Sequence, residues 1–401
     1  GQLVTPLQGV SDSVADLLIA LGQQPLTDVI QLYSYGVLDT KALSGYFQGT
    51  FHLGEAFDLT LGLRYQDEKR NLEGARTTFP TASGEINVIP LSGSSEADEL
   101  HAKQWSPRIA LQWRPIENDP TQIYASWSRA FKSPTYNTVN LLGGLTTTLA
   151  AVTRGQTPLL PEIKPLKEER VDTFELGTKM VLLDGNMQVE SAVFYTKQKD
   201  LLTGFVAVLS GGIVSYVNAP EAQIKGAELS GLWSPMPDLN PGLAITAAGT
   251  YLDAKYTDYP EGKGFDEVTG LAFGNGGTEP LPARDFTGNR IVRTPKWNYN
   301  LGVNQSLNLN DDNTIELGVD TAYASSFFFL PQNSDLYKRN AYQMFNARVS
   351  YFYNPWQFQL TAYCNNFTDE TYNEIVFVDD FGRNQVLNPP RIYGLRLKKE
   401  F

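Results

Sequence analysis

Residues 390–401 read PRIYGLRLKKEF, and the stretch alternates. Tyr393, Leu395, Leu397 and Phe401 fall on one face; Gly394, Arg396, Lys398 and Glu400 fall on the other. A period of two is the pattern of a strand with one oily and one wet face. Lys399 is the exception, near the strand end where a charge reaches water.

The pattern recurs upstream. Trp356, Phe358, Leu360 and Ala362 alternate with Gln357, Gln359, Thr361 and Tyr363, and Trp297, Tyr299, Leu301 and Val303 with Asn298, Asn300, Gly302 and Asn304. Residues 57–66 and 315–323 behave alike. The second face is polar or glycine, not small and apolar. Strands of a two-sheet sandwich average about 5–6 residues. These runs are about 10–14 residues long, which suits strands crossing an apolar band of about 25 Å at a tilt.

Composition narrows the class. The 401-residue chain is 42% hydrophobic, and no apolar run reaches the roughly 18 residues of a membrane helix. Alternation dilutes the apolar residues of a transmembrane barrel, so that class stays open. Aromatic residues make up 12%, an excess that girdles at two membrane interfaces would absorb. The net charge of −12 argues against a nucleic-acid partner. Cys364 is the one cysteine, so no intrachain disulfide forms, and mid-strand it reads as a small packing residue. Only two histidines are present, His52 and His101, and they belong at opposite ends of their strands. That arrangement gives no catalytic or metal site, and no cofactor is expected. An outer-membrane hydrolase would need a Ser/His or Asp/His pair at the rim.

Turn signals divide residues 40–401 into thirteen strands. Short connections at 53–55, 115–120, 184–186, 310–313 and 354–355 alternate with long polar ones at 71–100, 131–167, 257–289 and 367–389. Residues 200–219 read as a loop, with room for a small hairpin. Outer-membrane barrels have short periplasmic turns and long outer loops. Residues 1–39 read as an outer-loop insertion with a short helix at 14–21, capped by Ser11 or Asp12 and stopped by Gly22. Bacterial single-chain barrels have even strand numbers. The expectation is therefore an all-β transmembrane antiparallel barrel of which this chain is the C-terminal part.

Four stretches carry a family resemblance: IYASWSRAFKSPTY (123–136), LPEIKPLKEERVDTFELGTK (160–179), VNAPEAQIKGAELS (217–230), and NNFTDETY (365–372) with the closing strand. In this order they resemble the C-terminal barrel of a TonB-dependent outer-membrane receptor. The resemblance implies a bacterial outer-membrane barrel of about 22 strands, a plug domain with a TonB-gripping segment, and force from the TonB–ExbB–ExbD complex. Neither plug nor gripping segment is recognised here. It also implies import of a small-molecule or metal-chelate ligand such as a ferric siderophore, cobamide or glycan. Phe401 would be the signal read by the barrel assembly machinery. A passive porin or structural barrel is the alternative.

Two groups of residues are candidates for function. Charges on the wet face should line a lumen, because a charge facing lipid costs about 2–4 kcal/mol at mid-depth. They are Arg108, Arg114, Glu175, Lys179, Glu190, Arg348 and Arg396. Tyr124, Trp127, Arg129 and Tyr136 group in sequence where a strand meets an outer loop, and aromatic and guanidinium planes there suit ligand stacking. The same four residues also fit interface aromatics and a loop anchor. Carboxylates near one outer loop (Asp253, Asp258, Glu261, Asp266, Glu267) fit no EF-hand spacing. Residues 327–330, FFFL, break alternation at a strand end and are expected to bury against neighbouring loops or the outer interface.

Overall fold

The computed structural model describes residues 3–4, 31–81, 84–88, 99–117, 119–136, 165–206, 214–267, 272–274, 281–379 and 382–399. Thirteen long strands follow one another across a single sheet: β1 (Gln31–Leu53), β2 (Phe57–Thr81), β3 (Leu100–Trp113), β4 (Gln122–Lys132), β5 (Glu169–Leu182), β6 (Met187–Val206), β7 (Val214–Trp233), β8 (Leu243–Asp258), β9 (Trp297–Asn310), β10 (Asn313–Ala324), β11 (Tyr342–Tyr353), β12 (Phe358–Asn365) and β13 (Ile392–Lys399). Each pairs antiparallel with its sequence neighbour. Two short strands, Leu3–Val4 and Gly84–Val88, add to β1 and β2. Among the described residues β1 and β13 do not pair with each other.

Directly opposed residues in an antiparallel ladder share a face. One row therefore reads Phe51, Leu59, Leu111, Ala125, Leu176, Val193, Ala227, Tyr251 and Trp297 across nine strands. This oily face is bare: Leu176 and Val193 are each 52% exposed, and Leu301 is 47% exposed. A soluble sheet would cover such residues. A contiguous apolar surface of this extent marks a lipid-facing wall.

Aromatic pairs border the oily band on both sides. Near the short turns Phe57 stacks on Trp113 at 6.1 Å, and Tyr353 meets Trp356 at 5.5 Å. Toward the long loops lie Tyr65–Trp105 at 4.6 Å, Trp127–Phe174 at 6.4 Å, Tyr251–Trp297 at 4.7 Å and Tyr299–Tyr323 at 4.9 Å. From Phe57 to Tyr65 the strand rises about 27 Å, which a tilt of about 40° reduces to about 20 Å. Phe57 and Trp113 share a hydrogen-bonded row with Tyr299 and Tyr323. One row thus climbs from the lower girdle to the upper, as strand stagger in a tilted barrel requires.

The principal buried apolar clusters lie at the long-loop end. Tyr256, Tyr259, Phe273, Phe286 and Ile291 pack against Ala219, Ala222 and Ala254. Phe327, Phe329, Tyr337 and Val376 form a second cluster, so the FFFL stretch is buried against a neighbouring loop hairpin, Asn373–Asp379 with Gly382–Leu387.

Strand ends depart from the sequence reading. β2 continues to Thr81, and β6 and β7 form one hairpin from Met187 to Trp233 through part of the expected 200–219 loop. Polar alternation continues past the membrane band, and there the apolar criterion loses sight of it. β1 starts at Gln31, inside the stretch read as an insertion. The helix expected at 14–21 and the Phe401 signal lie outside the described residues.

Candidate functional site: the polar face and its loop-end rim

The face opposite the oily one carries the charges. Register places Arg108, Glu175, Lys179, Glu190, Arg348 and Arg396 all on it. Most are satisfied locally. Lys179 Nζ lies 3.2 Å from Glu190 Oε1, and Tyr124 donates to Glu175 Oε1 at 2.7 Å. Arg348 donates to Asn304 Oδ1 at 2.5 Å and sits 3.6 Å from Asp320, while Arg396 lies 5.7 Å from the centre of the Tyr363 ring. Tyr124, Lys179, Glu190 and Glu228 border one shallow recess. Arg114, just past β3, donates to Asp58 at 2.6 Å, and Asp58 also meets His52 at 2.6 Å. His101 pairs with Asp67 at 2.7 Å, at the opposite end of its hairpin from His52.

Glycines on this face make room for those side chains. A Cβ built on Gly177 falls 2.5 Å from Tyr124 Oη, because the Tyr124 ring lies across the neighbouring strand on its way to Glu175. On Gly318 it falls 2.7 Å from Arg348 Cζ.

The structure does not bring Tyr124, Trp127, Arg129 and Tyr136 together. Alternation along β4 divides them. Tyr124 is on the polar face near the short-turn end; Trp127 and Arg129 are on the oily face. Trp127 stacks on Phe174, and Arg129 Nε donates to Asp172 at 2.7 Å. Tyr136 is buried beyond the strand, and its hydroxyl donates to the Arg70 carbonyl at 3.0 Å.

The loop-end rim holds a layer of arginines over aromatic rings. Arg339 Cζ is 4.0 Å from the Phe327 ring centre, 4.7 Å from Tyr342 and 5.6 Å from Tyr372. Tyr342 and Tyr372 stack at 3.9 Å. Arg284 lies over Phe273 at 4.4 Å, and Arg290 and Arg293 over Phe328 and Phe329 at 5.7 Å each. Guanidinium planes on ring faces are attracted by the ring quadrupole, more strongly when desolvated. Burial pulls Arg339 below the ordinary arginine range and pushes the Tyr372 phenol up to about 12. Arg339 Nε is buried and has no hydrogen-bond partner among the described residues. The short ladder Phe327–Phe328 with Lys338–Arg339 sets this geometry. The sequence reading passed over Arg339, Tyr342 and Tyr372. For Arg339 and Tyr342 the signal was the density of basic and aromatic residues at 337–342, YKRNAY; Tyr372 closes the NNFTDETY stretch.

Three of the five acidic loop residues are engaged in protein contacts. Asp266 meets Arg284 at 2.5 Å, Glu267 accepts from Gln332 at 2.9 Å, and Asp253 lies 3.1 Å from Lys255. Among the described residues no group of three or more His, Cys, Asp or Glu side chains is placed to hold a metal ion.

A tilted antiparallel wall with one bare apolar face, two aromatic girdles and a charged opposite face defines an outer-membrane β-barrel protein. The chain belongs to the TonB-dependent receptor-like β-barrel family, whose model matches residues 11–367. It is 25% identical over 232 residues to the pesticin receptor of Yersinia enterocolitica, covering 57% of this chain and 28% of that protein. For the Yersinia pestis pesticin receptor the figures are 24%, 57% and 28%. The chain thus spans well under half the length of these relatives. Among solved structures it is similar to the ferric yersiniabactin uptake receptor FyuA of Yersinia pestis, with a TM-score of 0.66 and 16% identity over 93% of this chain and 49% of that one. The copper transporter OprC gives a TM-score of 0.61 and 14% identity over 90% and 48%. At these identities the structural likeness establishes the fold. The family consists of receptors and transporters rather than enzymes, and its place is the bacterial outer membrane.

Proposed function

We propose that the protein is part of an energy-coupled importer that captures an anionic metal chelate at its loop-end rim and passes it along the polar face. The observation that carries the ligand class is the arginine layer. Arg339 presents a guanidinium held by three aromatic rings, with no carboxylate bound to it among the described residues. Such a group suits planar, charge-delocalised oxygen ligands. One similar structure is named for uptake of ferric yersiniabactin, a metal chelate, which fits the same class.

The long connections face the medium and the short turns the periplasm. The polar face, with Arg108, Glu175, Lys179, Glu190, Arg348 and Arg396, lines the lumen and touches a plug domain. β1 and β13 run in the same direction, so closing the wall antiparallel takes an odd number of further strands between them. Unpaired edges in lipid would leave backbone groups unsatisfied at several kcal/mol each. The partners on this reading are outer-membrane lipid, the TonB–ExbB–ExbD complex through the plug, and the barrel assembly machinery.

The test is uptake of a radiolabelled ferric chelate panel by cells carrying the full-length protein, with and without TonB. At least one anionic chelate should accumulate only when TonB is present. Accumulation that is independent of TonB across the panel would overturn the importer reading.

A further inference from the structure

Tyr372, one of the rings around Arg339, belongs to no strand; it lies in the connection between β12 and β13. Two buried side-chain amides fix it there. Asn388 Oδ1 accepts from the Tyr372 N–H at 2.8 Å, and the Asn388 N–H donates to the Tyr372 carbonyl at 3.1 Å. Asn388 Nδ2 donates to the carbonyls of Glu370 and Pro389 at 3.0 Å each. Asn366 repeats the arrangement from the other side. Its Oδ1 accepts from the Glu370 N–H at 2.8 Å, and its Nδ2 donates to the same two carbonyls at 2.8 and 3.3 Å. Asn366 is 4% exposed and Asn388 6%. A buried amide is costly unless its donors and acceptor are used, and here each has a partner. The brace is also tied to the barrel wall. The Asn366 N–H donates to Asn346 Oδ1 at 2.9 Å, Asn346 Nδ2 donates to Asp320 at 2.7 Å, and the Phe367 N–H reaches the Phe345 carbonyl at 2.9 Å.

We propose that Asn366 and Asn388 are positioning residues of the rim: their brace sets Tyr372 against Tyr342 and so orients the Arg339 guanidinium for its ligand. The inference rests on capture of an anionic chelate by Arg339. A long side chain loses rotamer freedom on binding, and packing it between rings takes much of that loss beforehand. Two of the three rings are placed by strand pairing. Phe327 stands opposite Arg339 in their short ladder, and Tyr342 heads β11, opposite Ala324. Tyr372 has no ladder, so its place depends on the asparagines. It stacks on Tyr342 at 3.9 Å, with its ring centre 5.6 Å from Arg339 Cζ. The same brace closes the stem of the loop hairpin Asn373–Asp379 with Gly382–Leu387, whose Val376 joins the Phe327 and Phe329 cluster. This gives the NNFTDETY stretch (365–372) a task at the rim.

The experiment uses the full-length protein in mild detergent, and its first arm needs no ligand. Photo-oxidative coupling joins tyrosine rings that touch, and mass spectrometry reads the Tyr342–Tyr372 and Tyr299–Tyr323 pairs separately. Both pairs are stacked, at 3.9 and 4.9 Å. Asn388→Ala should lower the Tyr342–Tyr372 yield about fivefold and leave the Tyr299–Tyr323 yield as in wild type. Asn388 is substituted because a change at Asn366 would also meet its left-handed backbone, φ +52, which asparagine tolerates better than most residues. The second arm measures binding of ferric citrate and of ferric tris-catecholate by calorimetry in a double-mutant cycle. Asn388→Ala should weaken binding about fivefold, yet weaken it no further in an Arg339→Gln background, because a residue acting through Arg339 is not additive with it. Full additivity with Arg339→Gln would overturn the proposal, as would an unchanged Tyr342–Tyr372 yield or equal falls in both pairs. If Arg339→Gln leaves both affinities at the wild-type value, or wild type binds neither anion, Arg339 is not the capture residue, and the coupling arm still decides the brace. Heat-modifiable gel mobility checks that the barrel has assembled. Asn388→Asp is the milder variant: it keeps an acceptor for the Tyr372 N–H, loses the donors to Glu370 and Pro389, and should move both readouts in the same direction.

Discussion

Arg339 is the side chain on which ligand recognition should turn. Its guanidinium is held against Phe327, Tyr342 and Tyr372, which removes much of the entropy a free arginine would lose on binding. Arg339→Gln should weaken chelate binding about tenfold or more, measured by titration calorimetry on the full-length protein, without lowering the amount of assembled barrel. Trp127→Ala should leave that affinity unchanged, because Trp127 faces away from the polar side and stacks on Phe174. A loss of affinity at Trp127 comparable to that at Arg339 would reverse these assignments. Gly177 tests the polar face. A valine there meets the Tyr124 ring and must push it off Glu175, so Gly177→Val should cost about 1–3 kcal/mol in a denaturant titration of the detergent-solubilised barrel. An unchanged midpoint would mean that the ring moves freely.

At the level of the strand, alternation determines what each position tolerates. Val193 and Glu190 are three residues apart in number but opposite in face: Val193 is 52% exposed on the oily side, and Glu190 pairs with Lys179 on the polar side. Val193→Arg should cost about 2–4 kcal/mol and lower the yield of assembled barrel. Glu190→Arg should assemble normally, since water reaches that face. Equal defects from both would argue against a lipid-facing and a water-facing side. This two-fold pattern was legible in the sequence because the lipid band forces every second residue to be apolar. Beyond the band the pressure disappears, so the extensions of β2 to Thr81 and of β6 to Val206 read as loop. The candidate site was legible only in part. Arg108, Glu175 and Arg348 were placed by the same alternation, whereas the grouping of Tyr124, Trp127, Arg129 and Tyr136 rested on nearness in sequence, which in a strand separates neighbours. Arg339 and Tyr372 meet only through loop packing that no local pattern encodes.

For the molecule as a whole, the large apolar side chains of the strands are barest where a strand lacks a neighbour. Leu43 and Leu395 are each 75% exposed, on β1 and β13. Inward of those edges the wall is continuous, and its apolar side is bounded by the girdles at Phe57–Trp113 and Tyr65–Trp105. Import and lumen both depend on which solvent each side of that wall meets. The direct measurement is a spin-label scan of residues 187–197 on β6, in the full-length protein reconstituted into bilayers, recording accessibility to oxygen and to a water-soluble nickel chelate. Oxygen accessibility should peak at Val189, Ser191 and Val193, and nickel accessibility at Gln188, Glu190 and Thr196. Accessibility without a period of two, or oxygen and nickel maxima on the same residues, would contradict a wall with lipid on one side and water on the other.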